Sequence, residues 1–260
     1  QPRVELLRLL EKAERWDDLV ELLERQLGHM TDDKAQAALL RRIARVHRDM
    51  RQDDEASIVA LNALRGIRPN DAAVRSELID LMTAREAWQS LLPLLKQRGQ
   101  DEGETQDARV SAWSTLAQIC ETRLNQDEDA HYAASQWAAL APTEPLALDV
   151  MERVNTRLDR HDRQVDTLLR RVDLAADDAT RGALLRRVAE LCAVRLGDEA
   201  QAITHLEHAL RLDPQDAAAM DAIAPLYTRA GRSEQRGALM QDELRLETDP
   251  ARQAELPRGR

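Results

Sequence analysis

The sequence predicts an all-α protein of about seven antiparallel helix pairs stacked in a row. Three observations carry this. A helix boundary recurs as "NALRGIRPNDAAV" from Asn62, "WAALAPTEPLAL" from Trp137 and "EHALRLDPQDAAAMD" from Glu207, aligned on Pro69, Pro142 and Pro214, which are 73 and 72 residues apart. An independent stretch carries the same offsets: Leu40, Ile43, Val46 and His47 match Trp113, Leu116, Ile119 and Cys120, and these match Leu185, Val188, Leu191 and Cys192. Their spacing puts each set on one helical stripe, and repetition at a fixed period decides the architecture. Composition agrees, because Ala, Leu, Arg, Glu and Asp dominate while Gly and Pro number nine each and Phe is absent. Such a chain favours helix throughout and must fill its interior with Leu and Ala.

Each unit of about 73 residues holds two helix pairs. The stretches "ERWDDLVELLERQL" from Glu14 and "REAWQSLLPLLKQR" from Arg85 place Trp16 and Trp88 72 residues apart. "RHDRQVDTLLRRVD" and "GRSEQRGALMQDEL" continue the series, with Asp162 and Ser233 where the tryptophan would stand. In chain order, helices are predicted at 2–13, 16–27, 33–50, 53–67, 71–84, 86–98, 104–124, 127–140, 144–159, 161–175, 177–196, 199–212, 215–230 and 233–247. Asp33, Asp53, Asp71, Asp127, Asp178, Asp198 and Asp216 fall at or near these starts, where a carboxylate accepts free backbone N–H groups and meets the positive end of the helix dipole. Pro69, Pro142 and Pro214 close the preceding helices, since proline has no N–H to continue them. Pro93 and Pro225 fall inside predicted helices, each at a cost of about 3 kcal/mol, so the expectation there is a kink or a shifted boundary.

The second-helix signature Ala202, Ala209, Leu210, Leu212 and Pro214, with Tyr227 and Gly231 in "APLYTRAGR" and Trp16 and Trp88 early in their repeats, resembles the tetratricopeptide-repeat family. The resemblance covers nearly the whole chain and is best in the last third. Ala117 and Ala189 stand where that family usually has Gly, most of its aromatics are Leu here, and "LCAVRLGDEAQA" carries one added residue between helices. The resemblance implies a right-handed superhelical α-solenoid with first helices lining the concave side. On that reading 1–250 is a single solenoid with two-pair units near 2–71, 72–145 and 146–216 and a partial unit over 217–250, and 251–260 is a C-terminal tail or linker. Neighbouring pairs share a continuous core, because one pair alone cannot bury both its faces.

Chemistry is sparse. There is no Gly-rich phosphate loop, nucleophile elbow or paired-cysteine motif. Cys120 and Cys192 lie on apolar stripes and read as small buried hydrophobes. His205 and His208 share a helix face without converging ligands, His131 reads as packing or capping, and "DDE" at 53–55 and "DED" at 127–129 lack the alternation of a calcium loop. No metal or cofactor and no catalysis are expected. A net charge of −10 with three Lys argues against nucleic acid. No apolar run is long enough for membrane insertion. The default compartment is cytoplasmic, although residue 1 is Gln, which leaves a removed leader or a longer parent open. The Arg-over-Lys bias suggests a bacterial genome.

The expected function is a non-catalytic scaffold for a peptide or partner subunit, possibly acidic, with oligomeric state open. If Ile43, Val46 and His47 face the core, then Arg41, Arg45 and Arg48 face a groove and join Arg8 in a basic patch. Arginine forks suit a partner's carboxylates. Gln118 and Glu121, then Arg186 and Glu190, continue the groove, interleaved by Asp80, Thr83, Asp149 and Arg153. A chaperone-tail clamp is not expected, because of the four Asn only Asn155 lies near that face and no Lys accompanies it. The rival readings are a self-assembling structural module or fragment of a longer repeat protein, an RNA-binding helical repeat, and the regulatory domain of an enzyme.

Overall fold

The computed structural model describes residues 2–247, with side chains over 5–242. The expected tail at 251–260 and the last residues of the expected solenoid lie outside the described residues. Contacts divide the chain into two compact units, Gln1–Ile119 and Cys120–Arg260. Among the described residues every regular element is helical.

The first unit holds α1 (Pro2–Lys12), α2 (Trp16–Leu27), α3 (Asp33–Arg45), α4 (Asp54–Ile67), α5 (Ala72–Ala84), α6 (Trp88–Gln100) and α7 (Gln106–Ile119). The second holds α8 (Asp127–Leu140), α9 (Pro145–Arg157), α10 (His161–Leu174), α11 (Asp178–Glu190), α12 (Glu199–Leu212), α13 (Ala217–Arg229) and α14 (Ser233–Glu247). Within each unit, each helix packs on its sequence neighbours, α3 on α4 and α6 on α7 in the first unit, α8 on α9 and α11 on α12 in the second. Every predicted helix is present, with ends moved by a few residues.

The repeated stripe is the core. Leu40, Ile43, Val46 and His47 are buried, as are Trp113, Leu116, Ile119 and Cys120, and Leu185, Val188 and Cys192; Leu191 is half-buried. Cys120 and Cys192 are free and buried. Burial pushes the Cys120 thiol up to about 11, so it stays protonated and packs as a hydrophobe.

Two backbone features repeat with the same offsets. Left-handed residues stand at Glu14, Gln52, Glu86, Asn125, Asp159, Gly197 and Gly231, one in the turn inside each helix pair. In addition, α3, α7 and α11 each run on into a π turn, at Val46–Met50, Cys120–Leu124 and Leu191–Leu196. The π turns are closed by equivalent hydrogen bonds: Asp53 N–H to His47 O at 2.9 Å, Gln126 N–H to Cys120 O at 2.8 Å and Asp198 N–H to Cys192 O at 2.8 Å. A π turn absorbs one residue more than an α turn, so it houses the residue added in "LCAVRLGDEAQA".

The caps follow from side-chain chemistry. Asp32, Asp53, Asp71, Asp177, Asp198 and Asp216 each accept a backbone N–H at a helix start. The caps of α3 and α11 are therefore one residue before the expected Asp33 and Asp178. Asp127 is the first residue of α8 and instead binds Arg157 Nη2 at 2.6 Å. Pro93 and Pro225 lie inside α6 and α13, which run through them. Both prolines and the residues four before them, Gln89 and Asp221, are exposed. Water is therefore at hand for the carbonyl that each proline leaves without an N–H.

Candidate functional site

A second ladder of side chains ties the end of a first helix to the start of the second helix of the preceding pair. Arg85 reaches Glu55 at 3.5 Å, Arg157 reaches Asp127 at 2.6 Å and Arg229 reaches Glu199 at 2.6 Å, at equivalent places in the three repeats. Exposed pairs of this kind contribute about 0–1 kcal/mol each; their main effect is to hold register.

Similar pairing claims half of the expected groove residues. Arg41 of α3 lies 3.3 Å from Asp71, the cap of α5. Arg186 of α11 makes the equivalent contact with Asp216, the cap of α13. Each arginine therefore balances a carboxylate that already holds a helix start. Arg48 binds Asp49 at 2.7 Å and lies 3.6 Å from Glu77 of α5. Glu121, with a side chain only 7% exposed, takes both nitrogens of a fork from Arg153 at 2.7 and 2.8 Å and a third contact from Arg157 at 3.4 Å. Hydrogen bonds from Arg153 hold its carboxyl below the ordinary range against the opposing effect of burial. Arg41, Arg48, Glu121 and Arg186 thus serve the packing of first helix on first helix.

The other four, Arg8, Arg45, Gln118 and Glu190, are exposed. Arg45, Gln118 and Glu190 occupy the same repeat position, seven residues before the left-handed residues Gln52, Asn125 and Gly197. Each sits one residue before or after buried stripe positions, so the buried stripe and an exposed ridge share one helix. The ridge position carries a cation, an amide and an anion in turn. Asn155 is fully buried rather than on this face, with Nδ2 3.4 Å from Thr167 Oγ1.

One buried cation was not singled out by periodicity. Arg75 of α5 is 2% exposed and binds Asp101 at 2.6 Å and Glu104 at 2.9 Å in the loop before α7. It stands where the later repeats have buried Leu148 and Met220. A second polar set was also missed. His161, not Asp162, is the first residue of α10, the place of Trp16 in α2 and Trp88 in α6. Around it, Glu152 and Gln164 replace Leu7 and Leu19 of the first repeat and Ile79 and Leu91 of the second. A 73-residue step from Trp88 would have found His161.

Among the described residues, no group of three His, Cys, Asp or Glu is placed to hold a metal, and no helix is long and apolar enough to cross a membrane. The turns, stripes and ladders define the class: a helical-hairpin repeat protein whose side chains are arranged for packing and surface contact. No family model and no curated protein matches the chain. Solved structures do. A crystal structure of MamA protein is similar at 15% identity, over 86% of this chain and 98% of that one, with a TM-score of 0.39. A tetratricopeptide repeat protein from Parabacteroides merdae is similar at 13% identity, over 82% and 79%, with a TM-score of 0.37. YrrB, a TPR protein with an unusual peptide-binding site, is similar at 12% identity, over 73% and 92%, with a TM-score of 0.38.

Proposed function

We propose that this protein is a non-catalytic interaction scaffold whose first-helix ridge holds an extended segment of a protein partner. The observation that carries the reading is the division of labour within α3, α7 and α11. Their apolar stripe is buried and their neighbouring charges are satisfied internally, yet Arg45, Gln118 and Glu190 stay exposed at one repeat position. Within the first unit, Arg8, Arg45 and Gln118 put exposed side chains on three first helices, which suits a segment that runs across them. Arg8 and Arg45, which have no ion-pair partner among the described residues, favour an acidic segment in the first unit, because a guanidinium pairs with a carboxylate through two parallel hydrogen bonds. A net charge of −10 disfavours nucleic acid.

The test is the variant Arg8→Glu with Arg45→Glu. Affinity capture and mass spectrometry should show partners of the wild-type protein lost from the variant, with helicity by circular dichroism unchanged. Arg41→Glu is the wrong probe, since it removes the partner of the Asp71 cap. An unchanged partner set would remove the ridge from consideration. Light scattering that shows concentration-dependent growth of the protein alone would favour self-assembly instead.

A further inference from the structure

The second unit contains a cavity of about 300 Å³ between the α9–α10 hairpin and α11 with its π turn. It occupies the place where the first two repeats pack Leu7, Trp16 and Leu19, then Ile79, Trp88 and Leu91. Here the same positions are Glu152, His161 and Gln164, all three of which line the cavity. Leu19 and Leu91 are fully buried in their repeats. One polar replacement could be drift. Three at one slot, with the volume left open, depart from the apolar packing of the first two repeats, and such breaks mark functional sites.

The hydrogen-bond inventory decides what the cavity accepts. Each carboxylate of its lining already has a partner. The Glu152 carboxylate, 9% exposed, is held by Arg171 and Arg187. Asp159 is 3.0 Å from His161 Nε2. Gln164 Oε1 lies 3.2 Å from His161 Nδ1, and its Nε2 donates to Thr156 Oγ1 at 2.9 Å. Donors are left over. Arg195, exposed on the π turn, has no ion-pair partner among the described residues, and Arg187 meets Glu152 through Nη1. Leu168, fully buried, and Leu191 form an apolar wall beside these donors.

We infer that this cavity binds a carboxylate on a short apolar stem, with Arg187 and Arg195 on the carboxylate and Leu168 and Leu191 against the stem. An acidic side chain of a peptide and a small free organic acid share this chemistry. The site is separate from the first-helix ridge and stands or falls independently of it.

Two probes distinguish the sources: a fluorescein-labelled, C-terminally amidated peptide Gly-Leu-Glu-Leu-Gly, followed by anisotropy, and glutarate, followed by calorimetry. Saturable binding of the peptide, absent when glutamine replaces its glutamate, assigns a protein ligand. Saturable binding of glutarate without the peptide assigns a small acid. In either case Arg195→Gln should weaken binding about tenfold or more, the effect of losing a charge-assisted hydrogen bond. His161→Trp, which restores the residue type of the first two repeats, should abolish binding with helicity intact. The inference is overturned if neither probe saturates below the millimolar range. It is equally overturned if Arg195→Gln binds as the wild type does; because Arg195 is exposed and unpaired, this arm decides even where His161→Trp fails to fold.

Discussion

The carbonyl oxygen of Gly99 accepts the indole Nε1–H of Trp113 at 3.1 Å, and the ring lies where a side chain at residue 99 would be. A Cβ built on Gly99 would stand 2.5 Å from Trp113 Cε2 and 2.6 Å from Nε1. The end of α6 can therefore approach α7 only because residue 99 has no side chain. Trp113 is almost fully buried, so it has little room to retreat. Gly99→Ala should destabilise the protein by about 2 kcal/mol through overpacking, read as a lower urea midpoint together with a changed tryptophan emission. A loss below about 0.5 kcal/mol would show that the ring moves aside freely.

The left-handed turns make a paired prediction. Glu86 holds a φ of 54°, whereas Gly197 holds 69° at the turn of another pair. A side chain in this region costs about 1–2 kcal/mol against the following carbonyl. Part of that is offset when glycine is introduced, because the unfolded chain becomes freer. Glu86→Gly should thus raise stability by about 0.5–1 kcal/mol. Gly197→Ala should lower it by about 0.5–1 kcal/mol, and only through the backbone, since a Cβ there would meet nothing within 4 Å. Chemical denaturation of both variants checks the opposite signs.

Acid sensitivity should come first from buried and half-buried histidines. His47 is lowered mainly by burial and then by Arg51, whose Nη1 lies 3.0 Å from His47 Nδ1; Asp53, Glu24 and Asp17 oppose the shift. His131 and His205 are also lowered, by burial first and by Arg163 and His208 next. With the folded value below the unfolded one of about 6.5, the native state binds fewer protons than the unfolded chain as pH falls. Stability is then complete above about pH 6.5 and declines as pH drops through the folded values. Asp53, Asp101, Glu121 and Asp177 are lowered too, so their contribution is retained until below about pH 4. The urea midpoint should fall between about pH 7 and about pH 5, and His47→Gln should make that fall shallower. An identical slope in the variant would clear His47 of the effect.

Helix positions and the repeat were legible because a buried stripe must recur wherever one pair stacks on the next. Ile43, Leu116 and Val188 announce it without any homologue. The turns were less legible: five of the left-handed residues, Glu14, Gln52, Glu86, Asn125 and Asp159, are not glycine, so composition gives no sign of them. The candidate surface was legible only in part. Arg41 and Arg45 look alike in one dimension, but the partner that claims Arg41, Asp71, is 30 residues away at the start of another helix. Side-chain periodicity places a residue on a face and cannot say whether a neighbour neutralises it. His161 was less legible because the step from Trp88 is 73 residues, one more than the step from Trp16 to Trp88.

Among the described residues, the π turns occur at the ends of α3, α7 and α11, in every second hairpin. One inserted residue at the same point in three copies is most simply an inheritance: the slip arose once, in an ancestral doublet, and was carried along when that doublet was duplicated. The natural module of this molecule, for anyone lengthening or shortening it, is consequently four helices rather than two.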